Sequence, residues 1–285
     1  PISTDGGGNW SNFAASGAPS TTAARLLASD ANTRVQFRPS ANYHGTATIT
    51  FRAWDQSSGT AGSTADTTTN GGTTAFSTAT KTSTITINPV ADPPGVTSAT
   101  TNEDTKSASG LVISRNAVDG TEIAYFKITA ISNGTLYQND GTTQINNGDF
   151  ITFAQGSAGL KFMPAADFNG STTFDVQGSV TNLGVGLGTA TAASITVTSV
   201  NDAPQGTDKT VTVLEDGTYT FTASDFGFSD PTDAGSNAGA DEFDRVKITT
   251  LPSVGSLTLD SAAVGAGDEV SVADITAGKL QFTPV

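Results

Sequence analysis

The 285-residue sequence predicts an all-β chain made of tandem β-sandwich repeats. Apolar residues alternate with Thr and Ser in short runs, which is typical of strands with one solvent-facing side. Gly, Asn, Asp and Pro interrupt these runs every several residues, as turns do. The same segments also recur in the same order, and no window shows helical periodicity.

The clearest recurring segment is an alternating strand that ends at Pro and is followed by a turn before Gly. It reads RVQFRPSANYHG at residues 34–45, LKFMPAADFNG at 160–170 and LQFTP at 280–284. Proline ends a strand because it cannot donate to the ladder, and Asn-Gly or His-Gly favours a turn. In the two complete copies a further strand is predicted, at residues 47–54 and 171–176.

A second recurring segment is a strand that runs into an Asp-Pro or Asp-Ala-Pro joint. It reads TITINPVADPP at 84–94 and SITVTSVNDAP at 194–204, which places Asp92 and Asp202 at equivalent positions. Their spacing fits one β-sandwich of about 100 residues. We therefore predict three repeats: residues 1–93, lacking N-terminal strands; 94–203, complete; and 204–285, lacking C-terminal strands. We expect the chain to be a segment of a longer array.

Two shorter elements support these boundaries. A Glu-Asp opener occurs in NEDT at 102–105 and LEDG at 214–217, and a hairpin start occurs in GTL at 134–136 and GSL at 255–257. NDG at 139–141 predicts a tight turn. Residues 57–80 are rich in Gly, Ser, Thr and Ala, have no counterpart in the second repeat, and are expected to form a mobile loop.

Composition narrows the classes of function. Twenty-seven acidic residues against 13 basic ones give a net charge of −14. This charge disfavours nucleic-acid binding and suits the binding of hard divalent cations. The alternative is that the charge only keeps the protein soluble. The absence of Cys excludes disulfides and zinc–thiolate sites. No apolar run is long enough for membrane insertion.

Taken together, VNDAP at 200–204, the Glu-Asp openers and the Phe-x-Pro…Phe-Asn-Gly pattern resemble the cadherin-like repeats of bacterial giant adhesins. These repeats are also called tandem-95 or VCBS-type and occur in secreted RTX-type proteins. The resemblance covers essentially the whole chain. It implies Greek-key sandwiches in a linear array, calcium near the joints, an extracellular location, and a role in reach or attachment. A full Asp-x-Asn-Asp-Asn linker is absent.

By this resemblance, calcium ligands come from the end of one repeat, the joint and the top of the next repeat. For the joint between the second and third repeats, the expected ligands are Glu103, Asp175, Asn201 and Asp202. An acidic loop of the third repeat would add Asp225, Asp230, Asp233 and Asp241. So many close carboxylates repel one another unless a cation or solvent intervenes. Each Asp can equally be a turn residue that bonds its own backbone.

The joint between the first and second repeats has fewer carboxylates. Asp55, Asp92 and Asp119 are its candidates, and Pro93-Pro94 already stiffens the chain there. We therefore expect weaker calcium binding at this joint, or none.

We predict no catalytic residue. His44 is the only His and aligns with Asn169 in the turn before Gly, so it is read as a turn residue. Without Cys or a nucleophile elbow, the parts of a catalytic triad are missing. The leading hypothesis is an extracellular extender that contacts neighbouring repeats of the same chain. The alternatives are a carbohydrate- or protein-binding module that uses Trp54, and a self-associating filament subunit with open sheet edges.

Overall fold

The computed structural model describes residues 1–14 and 17–285, and it confirms an all-β chain. Helical structure in this part of the chain comprises α1 (Phe153–Ser157), α2 (Val272–Thr276) and a 3₁₀ turn at Ala223–Asp225. None of these helices has the length and hydrophobicity that crossing a lipid bilayer requires. The chain forms two compact units.

The first compact unit contains Pro1–Pro94, Arg115–Tyr125 and Gln177–Thr189. Its strands pair as β1 with β3, β2 with β5, and β4 with β6. They are β1 (Ile2–Ser3), β2 (Ala24–Arg25), β3 (Arg34–Val35), β4 (Gly45–Trp54), β5 (Thr64–Ala65) and β6 (Phe76–Ile87).

The loop prediction for residues 57–80 is wrong in part. Strand β5 lies inside it, and β6 starts at Phe76, well before the predicted strand start. After an irregularity between Arg52 and Trp54, the pairing continues with Trp54 opposite Phe76. The low-complexity composition concealed this extension, because Thr and Ser are compatible with both exposed strands and loops.

The second compact unit contains Gly95–Ser114, Phe126–Val176 and Ala190–Val285. The strands that follow β6 along the chain are β7 (Gly95–Val96), β8 (Ala99–Asn102), β9 (Ile113–Ser114), β10 (Tyr125–Thr129), β11 (Gly134–Tyr137), β12 (Gln144–Ile145), β13 (Phe150–Thr152), β14 (Lys161–Pro164), β15 (Gly170–Ser179), β16 (Thr191–Thr198), β17 (Tyr219–Thr220), β18 (Arg245–Lys247), β19 (Ser256–Leu259), β20 (Ala262–Ala263), β21 (Glu269–Ser271) and β22 (Leu280–Thr283).

Two sheets organise residues 94–203, which the sequence predicts to be the second repeat. One has five strands in the order β13-β10-β15-β16-β8, and the other has three in the order β12-β11-β14. The pairs β11–β12, β11–β14 and β15–β16 are antiparallel, whereas β8 and β16 run parallel, with Asn102 opposite Thr198. Since parallel neighbours point the same way, the residues after β8 and after β16 emerge at one end of the sheet.

Both sheets contribute side chains to one hydrophobic core. Strand β16 buries Ala193, Ile195 and Val197 at alternating positions, as a strand with one core-facing side must. Phe126, Phe162 and Phe174 are its largest buried side chains and come from β10, β14 and β15. Full burial of each such side chain contributes about 1.5–3 kcal/mol of hydrophobic free energy.

Residues 204–285 repeat the β10–β14 arrangement in β18–β22. Leu136 lies opposite Phe162 in the first copy, and Leu257 lies opposite Phe282 in the second. Gly134 starts the hairpin because a Cβ there would lie 2.4 Å from the carbonyl oxygen of Met163. The smaller core of this copy contains Val264, Val270, Ile275 and Leu280.

The two short helices were not indicated by any helical periodicity in the sequence, and they occupy equivalent places in the two copies. Thr152 caps α1 in a capping box with Gln155, and Ser271 caps α2 by accepting from the Asp274 N–H at 3.1 Å. A single turn of helix is too short to produce a periodic pattern, but the cap residues themselves were visible in the sequence.

Candidate cation site at the second joint

The segment containing Asn201 and Asp202, here called the second joint, lies beside a cluster of carboxylates. Glu103, Asp202 and Asp233 each place a carboxylate oxygen within 4.8 Å of the other two. Glu103 and Asp233 are 4% and 1% exposed, so two of the three are almost wholly removed from solvent. The structure therefore brings together three of the predicted ligands, and this group could hold a metal ion.

Glu103 is positioned by the parallel pairing of β8 and β16. Its backbone N–H donates to the Thr198 carbonyl at 3.0 Å, which continues the ladder by one residue. One carboxylate oxygen accepts the Val200 backbone N–H, and the other lies 3.4 Å from the Asn169 amide nitrogen. These hydrogen bonds hold the Glu-Asp opener against the end of β16, the last strand of the same repeat.

The acidic loop of the third repeat supplies Asp233. The Oδ2 atom of Asp233 accepts the Asp202 backbone N–H at 2.7 Å, and its Oδ1 accepts the Ser236 hydroxyl at 3.1 Å. The loop is held to the joint a second time, because the Ala238 N–H donates to the Ser199 hydroxyl at 2.9 Å.

Two carboxylate oxygens in this region are buried without any hydrogen-bond partner. They are Oδ2 of Asp202 and Oδ1 of Asp230. Asp230 is 7% exposed, and its other oxygen accepts the Asp241 N–H at 2.7 Å. A buried carboxylate oxygen that accepts nothing is costly, and a cation compensates it directly.

The electrostatics agree with this geometry. Burial raises the pKa of Asp202 above its ordinary value, and the negative charges of Asp167, Asp233, Glu103 and Asp104 raise it further. Each of these carboxylates makes it harder for Asp202 to hold its negative charge. The neighbouring negative charges repel one another, and a divalent cation bound among them would attract all of them.

A second carboxylate group shares Asp202. Asp104, Asp167 and Asp202 also place one oxygen each within 4.8 Å of one another, and the first two are exposed. Both Asp104 and Asp167 adopt left-handed backbone conformations, with φ of 53° and 55°. Sequence analysis missed them as ligands, although Asp104 belongs to the opener and Asp167 to the turn of the Pro-Gly segment.

Asn201 and Asp241 lie at the border of the site. The Asn201 amide nitrogen is 3.4 Å from Oδ2 of Asp241, and it also donates to the Asp202 carbonyl at 2.9 Å. They are close enough to support the joint. Among the described residues, Asp241 belongs to neither group of converging carboxylates, and Asn201 carries an amide instead of a carboxylate.

Asp225 belongs to neither group of converging carboxylates. It accepts hydrogen bonds from Lys209 Nζ at 2.5 Å, the Tyr219 hydroxyl at 2.9 Å and the Thr222 N–H at 2.8 Å. Burial raises the pKa of Asp225, but these hydrogen bonds outweigh it and lower the pKa well below the ordinary carboxyl range. Its role is to hold the 3₁₀ turn.

Asp175 is likewise placed away from the cluster. It lies within β15 opposite Ala192, whereas the end of β15 nearest the joint is Gly170, opposite Val197. Five residues of strand separate Asp175 from that end, which is about 17 Å.

At the first joint, Asp119 reproduces the contact that Asp233 makes at the second. Its two carboxylate oxygens lie 3.2 and 3.1 Å from the Asp92 backbone nitrogen, whose N–H donates to them. Burial and the charges of Asp92 and Glu122 raise the pKa of Asp119, while the Asp92 N–H and Arg115 lower it. Across residues 1–14 and 17–285, both converging groups of three lie at the second joint.

The remaining candidates lie in the first compact unit. Asp55 is exposed and accepts the Ser57 N–H at 2.8 Å, as a turn residue does. The Trp54 indole donates to the Ser58 carbonyl at 2.8 Å and is partly covered. His44 Nε2 lies 3.5 Å from a carboxylate oxygen of Glu122.

Comparison with known proteins leaves the chemistry of the site to be argued from its own residues. No protein-family model matches the sequence. No curated protein matches it either.

Proposed function

We propose that this chain is an extender segment of a large extracellular bacterial surface or secreted protein, stiffened by Ca²⁺ at its joints. One observation carries the proposal. Glu103 from the second repeat, Asp202 from the joint and Asp233 from the third repeat form one oxygen cluster. A cation bound there would tie together three segments that are distant in sequence.

The donor set favours calcium over softer metals. All the converging side chains offer carboxylate oxygens, with no imidazole or thiolate among them, and Ca²⁺ takes six to eight oxygen ligands. Glu103, Asp202 and Asp233 would hold the ion, and Asp104 and Asp167, which converge with Asp202, supply further negative charge beside it. The several carboxylates also exceed what Mg²⁺ usually draws from protein side chains.

The fold expected for such an extender is a cadherin-like Greek-key β-sandwich. The five-stranded and three-stranded sheets share one core, which supports two packed layers. Because β8 and β16 run parallel, Glu103, which follows β8, and Asp202, which follows β16, emerge at the same end of the repeat. We propose the same sandwich for each repeat of the array.

The mechanism is electrostatic and requires no catalytic group. Without a cation, the clustered carboxylates repel one another and the joint loosens. With a cation, the charges become ligands, and the hydrogen bonds between the acidic loop and the joint are reinforced. A chain of such joints would keep successive repeats extended and place a terminal binding region away from the cell surface.

Calcium titration by isothermal calorimetry tests the proposal, with Glu103→Gln as the test variant. Its matched control is Glu215→Gln, the equivalent opener residue in the third repeat, which is exposed and belongs to neither converging group. Glu103→Gln should weaken calcium binding by about tenfold or more, or about 1.4 kcal/mol. The control should bind as the unchanged protein does.

Small-angle X-ray scattering tests the mechanical half of the proposal. Chelation should broaden the distribution of end-to-end distances, and adding Ca²⁺ should narrow it again. Equal calcium affinity in both Gln variants, or scattering that ignores chelation, would contradict the function proposed here.

A further inference from the structure

Residues 180–189, here called the strap, lie between β15 and β16 in sequence and pack against the first joint, residues 88–94. Both segments belong to the first compact unit, together with the loop at residues 115–125. The Ala91 N–H donates to the Gly186 carbonyl at 2.9 Å. Ala91 is 5% exposed, so the middle of this joint is covered, whereas connecting segments usually run over the surface.

The strap approaches the joint too closely for side chains at two of its positions. A Cβ at Gly188 would lie 2.1 Å from the Ala91 carbonyl oxygen, and a Cβ at Gly186 would lie 2.4 Å from the Pro89 carbonyl oxygen. Gly188 has no left-handed backbone conformation that would itself call for glycine. The close packing of two backbones therefore accounts for the glycine at position 188.

The strap is held in shape by its own hydrogen bonds. The Val180 N–H donates to the Val185 carbonyl at 2.9 Å, which closes its turn. Gly188 is tied back to β15 twice, because its N–H donates to the Gly178 carbonyl at 3.1 Å and its carbonyl accepts from the Gln177 amide at 2.8 Å. The joint thus packs against a segment that is anchored at both ends.

The loop at residues 115–125 binds the next two residues of the joint. The Asp119 carboxylate accepts the Asp92 N–H, with oxygens at 3.2 and 3.1 Å, and the Asn116 amide donates to the Pro93 carbonyl at 3.0 Å. Together with Ala91, three consecutive residues of the joint are each hydrogen-bonded to a segment distant in sequence. All these bonds join protein groups directly.

We propose that the strap and the loop at residues 115–125 form a clamp that fixes the first joint in one conformation, whether or not a cation is bound. Asp119 takes part as a hydrogen-bond acceptor, and the remaining partners are backbone and amide groups. The clamp goes beyond the calcium function proposed above, since Glu103, Asp202 and Asp233 have no part in it. It gives the chain one joint whose shape does not follow the calcium supply.

Amide hydrogen exchange, measured residue by residue by NMR, tests the clamp, because a hydrogen-bonded amide exchanges when its segment opens locally. Ala91 and Asp92 should exchange slowly, and at the same rate in chelator and in saturating Ca²⁺. Gly188→Ala should accelerate exchange at Ala91 by about tenfold or more in both buffers. Gly235→Ala is the matched control, because Gly235 also lacks a left-handed backbone and its Cβ would meet nothing within 4 Å. It should leave exchange at Ala91 unchanged.

A second pair of variants separates a hydrogen bond from a bound cation. Asp119→Ala removes the acceptor of the Asp92 N–H and should accelerate exchange at Asp92 by about tenfold or more. Asp119→Asn removes the negative charge but keeps an oxygen acceptor, so it should leave this exchange slow. Unchanged exchange at Ile195, in the core of the second repeat, shows that each effect is local.

Three results would overturn the clamp. Faster exchange at Ala91 and Asp92 in chelator than in Ca²⁺ would show that a cation holds the joint. Asp119→Asn as damaging as Asp119→Ala would show the same, and Gly188→Ala as harmless as Gly235→Ala would remove the strap. Calcium affinity has no bearing on these rates, so the clamp and the calcium site stand or fall separately.

Discussion

Asp202 donates its backbone N–H to the carboxylate of Asp233 at 2.7 Å, and this bond helps to hold an acidic loop against the joint that precedes it. The same contact recurs between Asp92 and Asp119 at the preceding joint. The recurrence indicates that the primary role of the carboxylate that follows each joint is to fix the backbone of that joint through this hydrogen bond. Only at the second joint do the described carboxylates converge in threes.

Asp202→Asn should have opposite effects on stability with and without calcium. The substitution removes one negative charge from a repelling cluster, so in chelator it should raise the melting temperature of the protein. In saturating Ca²⁺ it removes a ligand, so it should lower the melting temperature relative to the unchanged protein. Differential scanning calorimetry in the two buffers measures both, and a shift of the same sign in each would refute the cation site.

Asp225→Ala should destabilise the third repeat without changing calcium affinity. Four hydrogen bonds to its charged carboxylate are lost, and a bond of this kind contributes about 1.5–3 kcal/mol. Urea denaturation measures the loss, and calorimetric titration measures the unchanged affinity. A fall in calcium affinity comparable with that of Glu103→Gln would return Asp225 to the ligand set.

The stabilisation by Asp225 should also depend on pH. Its folded-state pKa is lowered, so its contribution is complete above the unfolded-state value of about 3.9 and declines as the pH falls below it. The stability difference between the unchanged protein and Asp225→Ala should therefore shrink on acidification below about pH 4. Denaturation curves at a series of acidic pH values check this, and a difference that widens there would contradict the assignment.

Equivalent positions in the first and second repeats should respond differently to truncation. Phe174→Ala opens a cavity in a closed core and should cost about 3–5 kcal/mol. Gly45 opposite Ile87 in β4–β6 matches Gly170 opposite Val197 in β15–β16, so Ile49 corresponds to Phe174. Because Ile49 is 50% exposed, Ile49→Ala should change stability by less than about 0.5 kcal/mol. Urea denaturation of the two variants provides the comparison, and equal losses would show that this face of β4–β6 is covered in solution.

The two helix caps should behave alike, because they occupy the same place in their repeats. Thr152→Ala and Ser271→Ala each remove a side-chain acceptor from a helix N-terminus and should cost about 1 kcal/mol. Thr152→Ser keeps the acceptor and is the control. Midpoints of urea denaturation measure all three, and a control as damaging as Thr152→Ala would point to packing of the Thr methyl group.

Much of the strand pattern was predictable because it follows from local chemistry. Alternation and terminal Pro or Gly located the strands that became β4, β14, β15, β16 and β22, since these signals act within a few residues. The extension of β6 back to Phe76 could not be read in this way, because a run of Thr, Ser and Ala is equally compatible with an exposed strand and a loop.

Part of the carboxylate site at the second joint was likewise predictable from local sequence patterns. Glu103 and Asp202 were identified because the opener and the joint recur as motifs, and Asp233 because it lies in a loop crowded with carboxylates. The hydrogen bond that Asp225 accepts from Lys209 could not be predicted, because the two residues are sixteen positions apart and a single sequence does not show that pairing. The distance of Asp175 from the joint depends on the strand register, which the sequence does not give either.

The parallel pairing of β8 and β16 also determines how a repeat carries tension. Because the two strands run the same way, pulling the chain before Ala99 away from the chain after Thr198 slides one strand along the other. The hydrogen bonds between them are then loaded together in shear, instead of breaking one after another as in a peeled hairpin. A tether assembled from such units would resist being drawn out by flow or by a moving cell.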